Sequence, residues 1–256
     1  MVFMLPLCHV ILLLTLINAD MKKISRLMAL IVAMLCLPVA SKAQNLQVLY
    51  DTNRDCITTT FEMFRPDAFG STFVFVDMDY SQAIEGRAVG AYTEIARDFC
   101  FWQDTEYNWL SVRAEFNGGL AGAYSFNNAW LLGLTYSGHS DDFSKTWSVT
   151  ASYKATPGAI ALDGLLPKKQ PHGYQLTGVW GISFADGWCS FSGFADFWRE
   201  GDTNIFISEP QFWVNLNKIE GWESVNCSVG GELELSHNFV EKGFRAMPAL
   251  GLKWTF

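Results

Sequence analysis

Residues 44–256 contain no apolar run approaching the ~18 residues that a transmembrane helix needs, so a helical membrane protein is not expected here. Basic side chains are also few. The chain has 18 Lys and Arg and 26 Asp and Glu, of which four basic residues and one acidic residue lie in residues 1–43. Residues 44–256 therefore carry a net charge of −11. A nucleic-acid partner is therefore not expected, because phosphates would be repelled.

Histidine and cysteine are scarce and scattered, with four and six in the whole chain. Their positions, together with those of the carboxylates, do not have the spacing of a metal site, so we expect neither a metal nor a cofactor. We also expect the cysteines of residues 44–256 to be free, although an exported protein could form disulfides.

Aromatic residues are plentiful, at 15% of the chain, and they occur in short alternating segments. In residues 246–256, Leu250, Leu252, Trp254 and Phe256 fall on one face of an extended strand. Such a face suits a strand that crosses an outer membrane, with apolar residues towards lipid and aromatics at the interface. An edge strand of a soluble sandwich is the alternative.

This ending resembles the C-terminal signature of bacterial outer-membrane barrels. The resemblance implies that the barrel-assembly machinery recognises the strand that ends in Phe256.

Residues 1–43 have the composition of an export signal. A basic lead at 22–26 precedes an apolar stretch at 27–37, and a small-x-small site occupies 41–43. This order predicts cleavage before Gln44. We interpret residues 1–20 as an upstream segment, with Met21 as the true start.

Twelve alternating segments separated by turn residues can be placed in 44–256, as one domain. An even number lets the last strand pair with the first, which removes both sheet edges. The links predicted to face the periplasm are short, and the longest link, 156–172, falls on the outer side. The sequence therefore predicts an all-β fold, a single-chain transmembrane antiparallel β-barrel of about twelve strands. The predicted strands are 46–51, 56–65, 71–80, 89–101, 107–117, 128–136, 145–155, 173–184, 188–199, 204–217, 222–236 and 246–256.

Alternation also assigns each side chain to the lipid or to the interior. One parity is apolar and the other carries charge, which only a hydrated or well-paired interior would tolerate. Arg97 breaks the rule, because it lies among lipid-facing neighbours and must reach the membrane rim or mark a bulge. The predicted lumen residues are Glu62, Phe64, Phe73, Phe75, Asp77, Asp79, Glu94, Arg113, Glu115, Glu209, Glu232, Glu234 and Lys253.

The hairpin at 58–80, TTTFEMFRPDAFGSTFVFVDMDY, resembles the second and third strands of the nucleoside-specific channel-forming porins, the Tsx-like family. The segment 92–97, YTEIAR, is similar to that family's next strand. The resemblance implies a narrow twelve-stranded outer-membrane barrel that passes nucleosides. It further implies lumen roles for Glu62, Phe64, Phe75 and Asp77.

The same residues suggest this chemistry without the family. An aromatic face can stack a planar base while a carboxylate accepts hydrogen bonds from sugar or base donors. The alternative is a structural or adhesive barrel whose aromatics and paired charges fill a closed interior. A lipid-modifying enzyme is a third possibility. Its only support is Gly138-His139-Ser140. Catalysis would need His139 and Ser140 on the same face, whereas adjacent residues on a strand point to opposite faces.

We expect the mature protein to begin at Gln44 and to reside in the outer membrane, because residues 1–43 read as a cleaved export signal. The intact mass of protein purified from outer membranes tests this prediction. A mass that includes residues 1–43 would contradict it.

Overall fold

The computed structural model describes residues 44–81, 87–121, 124–125, 128–156, 172–200, 203–239 and 241–256. The chain divides into two compact units, Met1–Ser41 and Lys42–Phe256, and the described residues all belong to the second. The export signal, the alternative start at Met21 and most of the long outer link at 156–172 lie outside the described residues.

Across the described ranges, twelve antiparallel strands form a closed barrel. The last strand pairs with the first, with Asn45 opposite Thr255, so neither edge is left open. The predicted fold is confirmed. The strands are β1 (Gln44–Asp51), β2 (Cys56–Asp67), β3 (Gly70–Ser81), β4 (Arg87–Phe99), β5 (Leu110–Ala121), β6 (Ala129–His139), β7 (Lys145–Ala155), β8 (Gly173–Phe184), β9 (Cys189–Glu200), β10 in two pieces (Thr203–Ser208 and Gln211–Asn215), β11 (Cys227–His237) and β12 (Phe244–Thr255).

Two small elements accompany these strands. The pair Tyr124–Ser125 bonds to the end of β5, and a single 3-10 turn, Leu216–Lys218, follows β10. Within the described ranges, no helix is long and apolar enough to cross a membrane.

The two pieces of β10 keep one register, as the sequence predicted for a single strand. Both Ser208 and Gln211 keep the same offset to β9, and only Glu209 and Pro210 interrupt the ladder. Proline has no N–H to donate, so a break at this position follows from the sequence. Gly193 on β9 makes room for it, because a Cβ there would lie 2.9 Å from the Cα of Pro210.

The predicted faces agree with the exposure of the side chains. On β12, Leu250 and Trp254 are 67% and 45% exposed, whereas Ala249 and Met247, which have the opposite parity, are buried. The same alternation runs along β6 and β7, where the outward residues are apolar or aromatic apart from Lys145 at the start of β7. The outer surface is therefore an apolar band, and polar groups lie inside.

Arg97 points outward, as its parity predicted, and it lies near the turn end of β4. Its guanidinium binds Asp67 with two hydrogen bonds, of 2.5 and 2.9 Å, and also donates to Thr72 Oγ1 at 3.0 Å. The register is unbroken at Arg97, and the irregularity of β3 and β4 lies instead between Asp79 and Tyr80. Arg97 is therefore a paired rim residue and not a bulge.

The four cysteines of the described residues, Cys56, Cys100, Cys189 and Cys227, are free, as predicted. The register explains this for the last two: Cys189 lies opposite Phe184 and Val214 in β8 and β10, and Cys227 opposite Trp254 in β12.

We expect Gly193→Ala to destabilise the barrel, because Gly193 has φ +155° and a Cβ would lie 2.4 Å from the carbonyl oxygen of Glu209. Strain of this kind costs about 1–3 kcal/mol. In semi-native gel electrophoresis, a folded barrel migrates as a compact band until heat unfolds it. The temperature at which this band disappears should therefore be lower for Gly193→Ala.

Gly178→Ala on β8 is the matched control, since its Cβ would meet only one atom within 4 Å, at 4.0 Å. Equal transition temperatures for the two variants would contradict this account of Gly193.

Candidate functional site

The side chains that the sequence predicted for the lumen all lie on the inner face, but they form separate groups. On β2 and β3 the register sets Glu62 opposite Phe75 and Phe64 opposite Phe73. Phe75 in turn lies opposite Glu94 on β4. The interior is therefore best described group by group.

The first group is a ring of carboxylates on both sides of the lumen. Glu209 on β10 lies within electrostatic range of Glu94 on β4, although five strands lie between them in either direction around the barrel. The lumen is therefore narrow at this level, and like charges face one another across it. The carboxylate ring consists of Glu62, Asp77, Glu94, Glu209, Glu232 and Glu234.

Neutral donors orient several members of this ring. Thr60 donates to Asp77 at 2.5 Å and Tyr92 donates to Glu94 at 2.9 Å. A third contact runs from the Gln211 side-chain amide to Glu232 Oε2, at 2.7 Å. These donors carry no charge, so they hold the carboxyl groups in place without forming ion pairs with them.

Lys253 is the base that faces Glu62. Its Nζ lies 4.6 Å from the centre of the Trp213 ring, and Trp213 has no exposed surface. The indole N–H of Trp213 donates to Gln211 Oε1 at 2.9 Å. Lys253 is therefore held against an aromatic wall, from which it offsets only part of the ring's charge.

The second group is a row of aromatics beside the carboxylate ring. Phe75 lies between Glu62 and Glu94 in the register, and its ring centre is 6.5 Å from that of Phe73, with 17° between the planes. Phe64 is 46% exposed although it faces inward. The row thus offers flat apolar faces next to hydrogen-bond acceptors.

The third group, the Arg113 network, is buried. Arg113 Nε lies 3.1 Å from Asp98 Oδ1, and Nη1 lies 3.7 Å from Glu115 Oε2. Thr135 donates to Asp98 at 3.0 Å and shares a 2.9 Å hydrogen bond with Thr150. Arg113 and Glu115 are therefore charges paired in the wall, as the packed-interior alternative foresaw for Arg113.

The sequence analysis did not single out Asp98, the central acceptor of this network. The alternation of β4 could have identified it, since Asp98 shares the parity of Glu94. No comparable signal marks Thr135, whose partners come from two other strands.

Asp79 lies two residues beyond Asp77 on β3, towards the outer mouth. It accepts a hydrogen bond from Thr58 at 2.8 Å, and Arg54 Nη1 lies 3.5 Å away. Arg54 also binds the buried carboxylate of Asp51. The sequence analysis missed Arg54, which lies in the turn between β1 and β2.

The catalytic motif considered from the sequence is not assembled. His139 stacks on Phe143, with ring centres 3.9 Å apart, and its Nδ1 contacts the backbone oxygen of Ser140. The Ser140 hydroxyl donates instead to Asp142 at 2.6 Å. In the described part of the chain, no group of three or more His, Cys, Asp or Glu could hold a metal ion.

A closed antiparallel barrel with an apolar outer band and a charged interior is an integral outer-membrane β-barrel protein. Residues 43–256 match the family described as Domain of unknown function (DUF5020), and the chain belongs to that family.

Several solved structures are similar in fold. The NanC porin superposes with a TM-score of 0.55 at 7% identity, over 84% of this chain and 100% of that one. The KdgM porin gives 0.48 at 11% identity, over 84% and 99%. The outer membrane channel DcaP of Acinetobacter baumannii gives 0.39 at 11%, over 83% and 72%. No curated protein matches. At such identity the likeness to NanC supports the barrel fold, and the Tsx-like resemblance stays a prediction.

We expect Arg113→Ala to destabilise the protein strongly, because it leaves Asp98 and Glu115 buried without their cation. Breaking a buried pair by removing one partner costs about 3–5 kcal/mol. Urea unfolding in lipid vesicles, followed by tryptophan fluorescence, measures the loss.

Arg245→Ala is the control, since the side chains of Arg245 and its partner Glu241 are 35% and 65% exposed. Loss of a largely solvated pair should cost no more than ~1 kcal/mol. Similar unfolding midpoints for the two variants would contradict a structural role for the Arg113 network.

Proposed function

We propose that the protein is an outer-membrane channel for small polar solutes, with nucleosides as the first candidates. The observation that carries this proposal is the carboxylate ring with Phe75 beside it. Glu62, Glu94, Glu209 and Glu232 are enclosed by the barrel and yet partly exposed, so water-accessible space remains at their level.

The chemistry of the ring favours neutral and cationic solutes. Rings of acidic side chains select for cations and repel anions. A nucleoside's hydroxyl and amino groups can donate to Glu62 and Glu94, while its base stacks on Phe75 or Phe64. Nucleosides should therefore pass more readily than nucleotides, whose phosphates the ring repels. The Tsx-like resemblance of β2 and β3 supports the same solute class.

A structural barrel with a closed interior is the second candidate. It is favoured by the buried Arg113 network and by Trp213, which is fully buried inside the lumen. Conductance of the purified protein in planar bilayers separates the two functions, because a closed interior passes no ions.

We expect Glu62→Gln to lower cation selectivity and to weaken block by nucleosides, because it removes a ring charge while keeping the side-chain shape. Folding should change little. Single-channel recording with nucleosides as blockers measures both effects. Glu106→Gln is the control, since Glu106 is exposed in the turn between β4 and β5. If Glu62→Gln and Glu106→Gln have the same cation selectivity and the same nucleoside block, Glu62 only fills space and does not contact the solute.

We expect Phe64→Ala to weaken nucleoside block by about 1–3 kcal/mol, the loss of one stacking contact. Phe61→Ala, three residues earlier on the outer face, is the control and should leave block unchanged. Equal nucleoside block in Phe64→Ala and Phe61→Ala would show that the aromatic row does not line the solute path.

A further inference from the structure

Large side chains fill one sector of the barrel's outer mouth. Trp198 on β9 and Ile205 and Ile207 on β10 form a buried cluster, 6%, 7% and 7% exposed, which we call the apolar plug. Phe239, from the link between β11 and β12, lies against Trp198 edge-on, with ring centres 5.8 Å apart. The plug is thus capped from the outside.

Lys154 on β7 is held under this plug. Its Nζ lies 4.2 Å from the centre of the Trp198 ring and donates to Gln175 Oε1 at 2.8 Å. Lys154 and Gln175 are only 8% and 2% exposed. Since Trp198 lies opposite both Gln175 and Ile205, the filled sector is continuous from β7 to β10.

Within the described residues, two inward positions in the opposite sector of the mouth are glycines. Gly90 on β4 and Gly119 on β5 share the inward parity of Tyr92 and Asn117. Asp79, opposite Gly90, has a side chain 36% exposed. A Cβ at Gly90 would lie 3.4 Å from Asp79 Oδ2 and 3.5 Å from the carbonyl oxygen of Leu120, which are ordinary van der Waals distances, so a side chain can be placed here.

We propose that the apolar plug is a fixed wall that confines solutes at the outer mouth to the sector of β3–β5, past Asp79 and Gly90. It also shields the charge of Lys154, so entering solutes meet acidic groups on the open side. Trp198 is therefore a specificity-determining residue. The inference rests on the proposed channel function, and it assigns the side of the barrel on which that channel opens.

The first experiment narrows the proposed opening. Gly90→Phe places a ring in the open sector and should reduce single-channel conductance at least about twofold, since pore width limits conduction. Ala91→Phe, the next residue on the outer face, is the matched control and should conduct like the original protein. Unchanged conductance in Gly90→Phe would overturn the proposal.

The second experiment removes the wall. Trp198→Ala should raise conductance and lower cation preference, because it uncovers Lys154. Adding Lys154→Gln to that variant should restore the cation preference. Phe197→Ala, the outward-facing neighbour, is the control. A folded Trp198→Ala protein with unchanged conductance and selectivity would overturn the wall assignment.

The third experiment does not depend on conduction. In a protein whose native cysteines are replaced by serine, a charged, membrane-impermeant thiol reagent added to whole cells should modify Gly90→Cys much faster than Ile205→Cys. The reverse order would overturn the inference. If Gly90→Cys is labelled faster than Ile205→Cys but the protein shows no conductance, the channel function is contradicted and the assignment of the open sector stands.

Discussion

The constraint on which the structure depends is that every backbone N–H and C=O in the bilayer core needs a partner within the protein. Each unpaired group in hydrocarbon costs several kcal/mol. A sheet meets this demand only by closing, which it does where β12 pairs with β1. Closure with every neighbour antiparallel requires an even number of strands, and Pro210, which has no N–H for the ladder, lies beside Gly193 on the neighbouring strand. The outward pair of Arg97 with Asp67 accordingly lies at a strand end.

Closure then forces polar side chains together inside a narrow space, and the structure deals with them in two ways. In the Arg113 network, opposite charges and hydroxyls neutralise and hydrogen-bond one another, so the groups can be buried. In the carboxylate ring, the partners are neutral donors such as Thr60 and Tyr92, and the carboxylates keep access to solvent. The first arrangement stabilises the wall. The second leaves charge available to a passing solute.

The fold could be predicted from the sequence because a period of two residues fixes which face a side chain occupies. Alternation identified all twelve strands, set Glu62 and Glu94 inward and assigned the apolar residues to the outer face. Alternation does not specify what lies across the barrel. The approach of Glu94 to Glu209 and the contact of Lys154 with Trp198 depend on strand tilt and on register summed over many strands, which no local pattern encodes. Trp198 and Trp213 were also hard to identify as interior residues, because tryptophan in a membrane barrel is expected at the lipid interface.

The size of the inward side chains decides whether such a barrel is filled or open. A twelve-stranded barrel with large residues on every strand would have little space, and one with small residues throughout would pass solutes without discrimination. In this protein, large and small inward residues are unequally distributed at the outer mouth. Trp198 and Ile205 lie on β9 and β10, whereas Gly90 and Gly119 lie on β4 and β5. Because β4 and β10 lie on opposite sides of the barrel, bulk on one side leaves space on the other. The opening that we propose is therefore eccentric, and it leads to the carboxylates of β3 and β4 and to the aromatic row beside them.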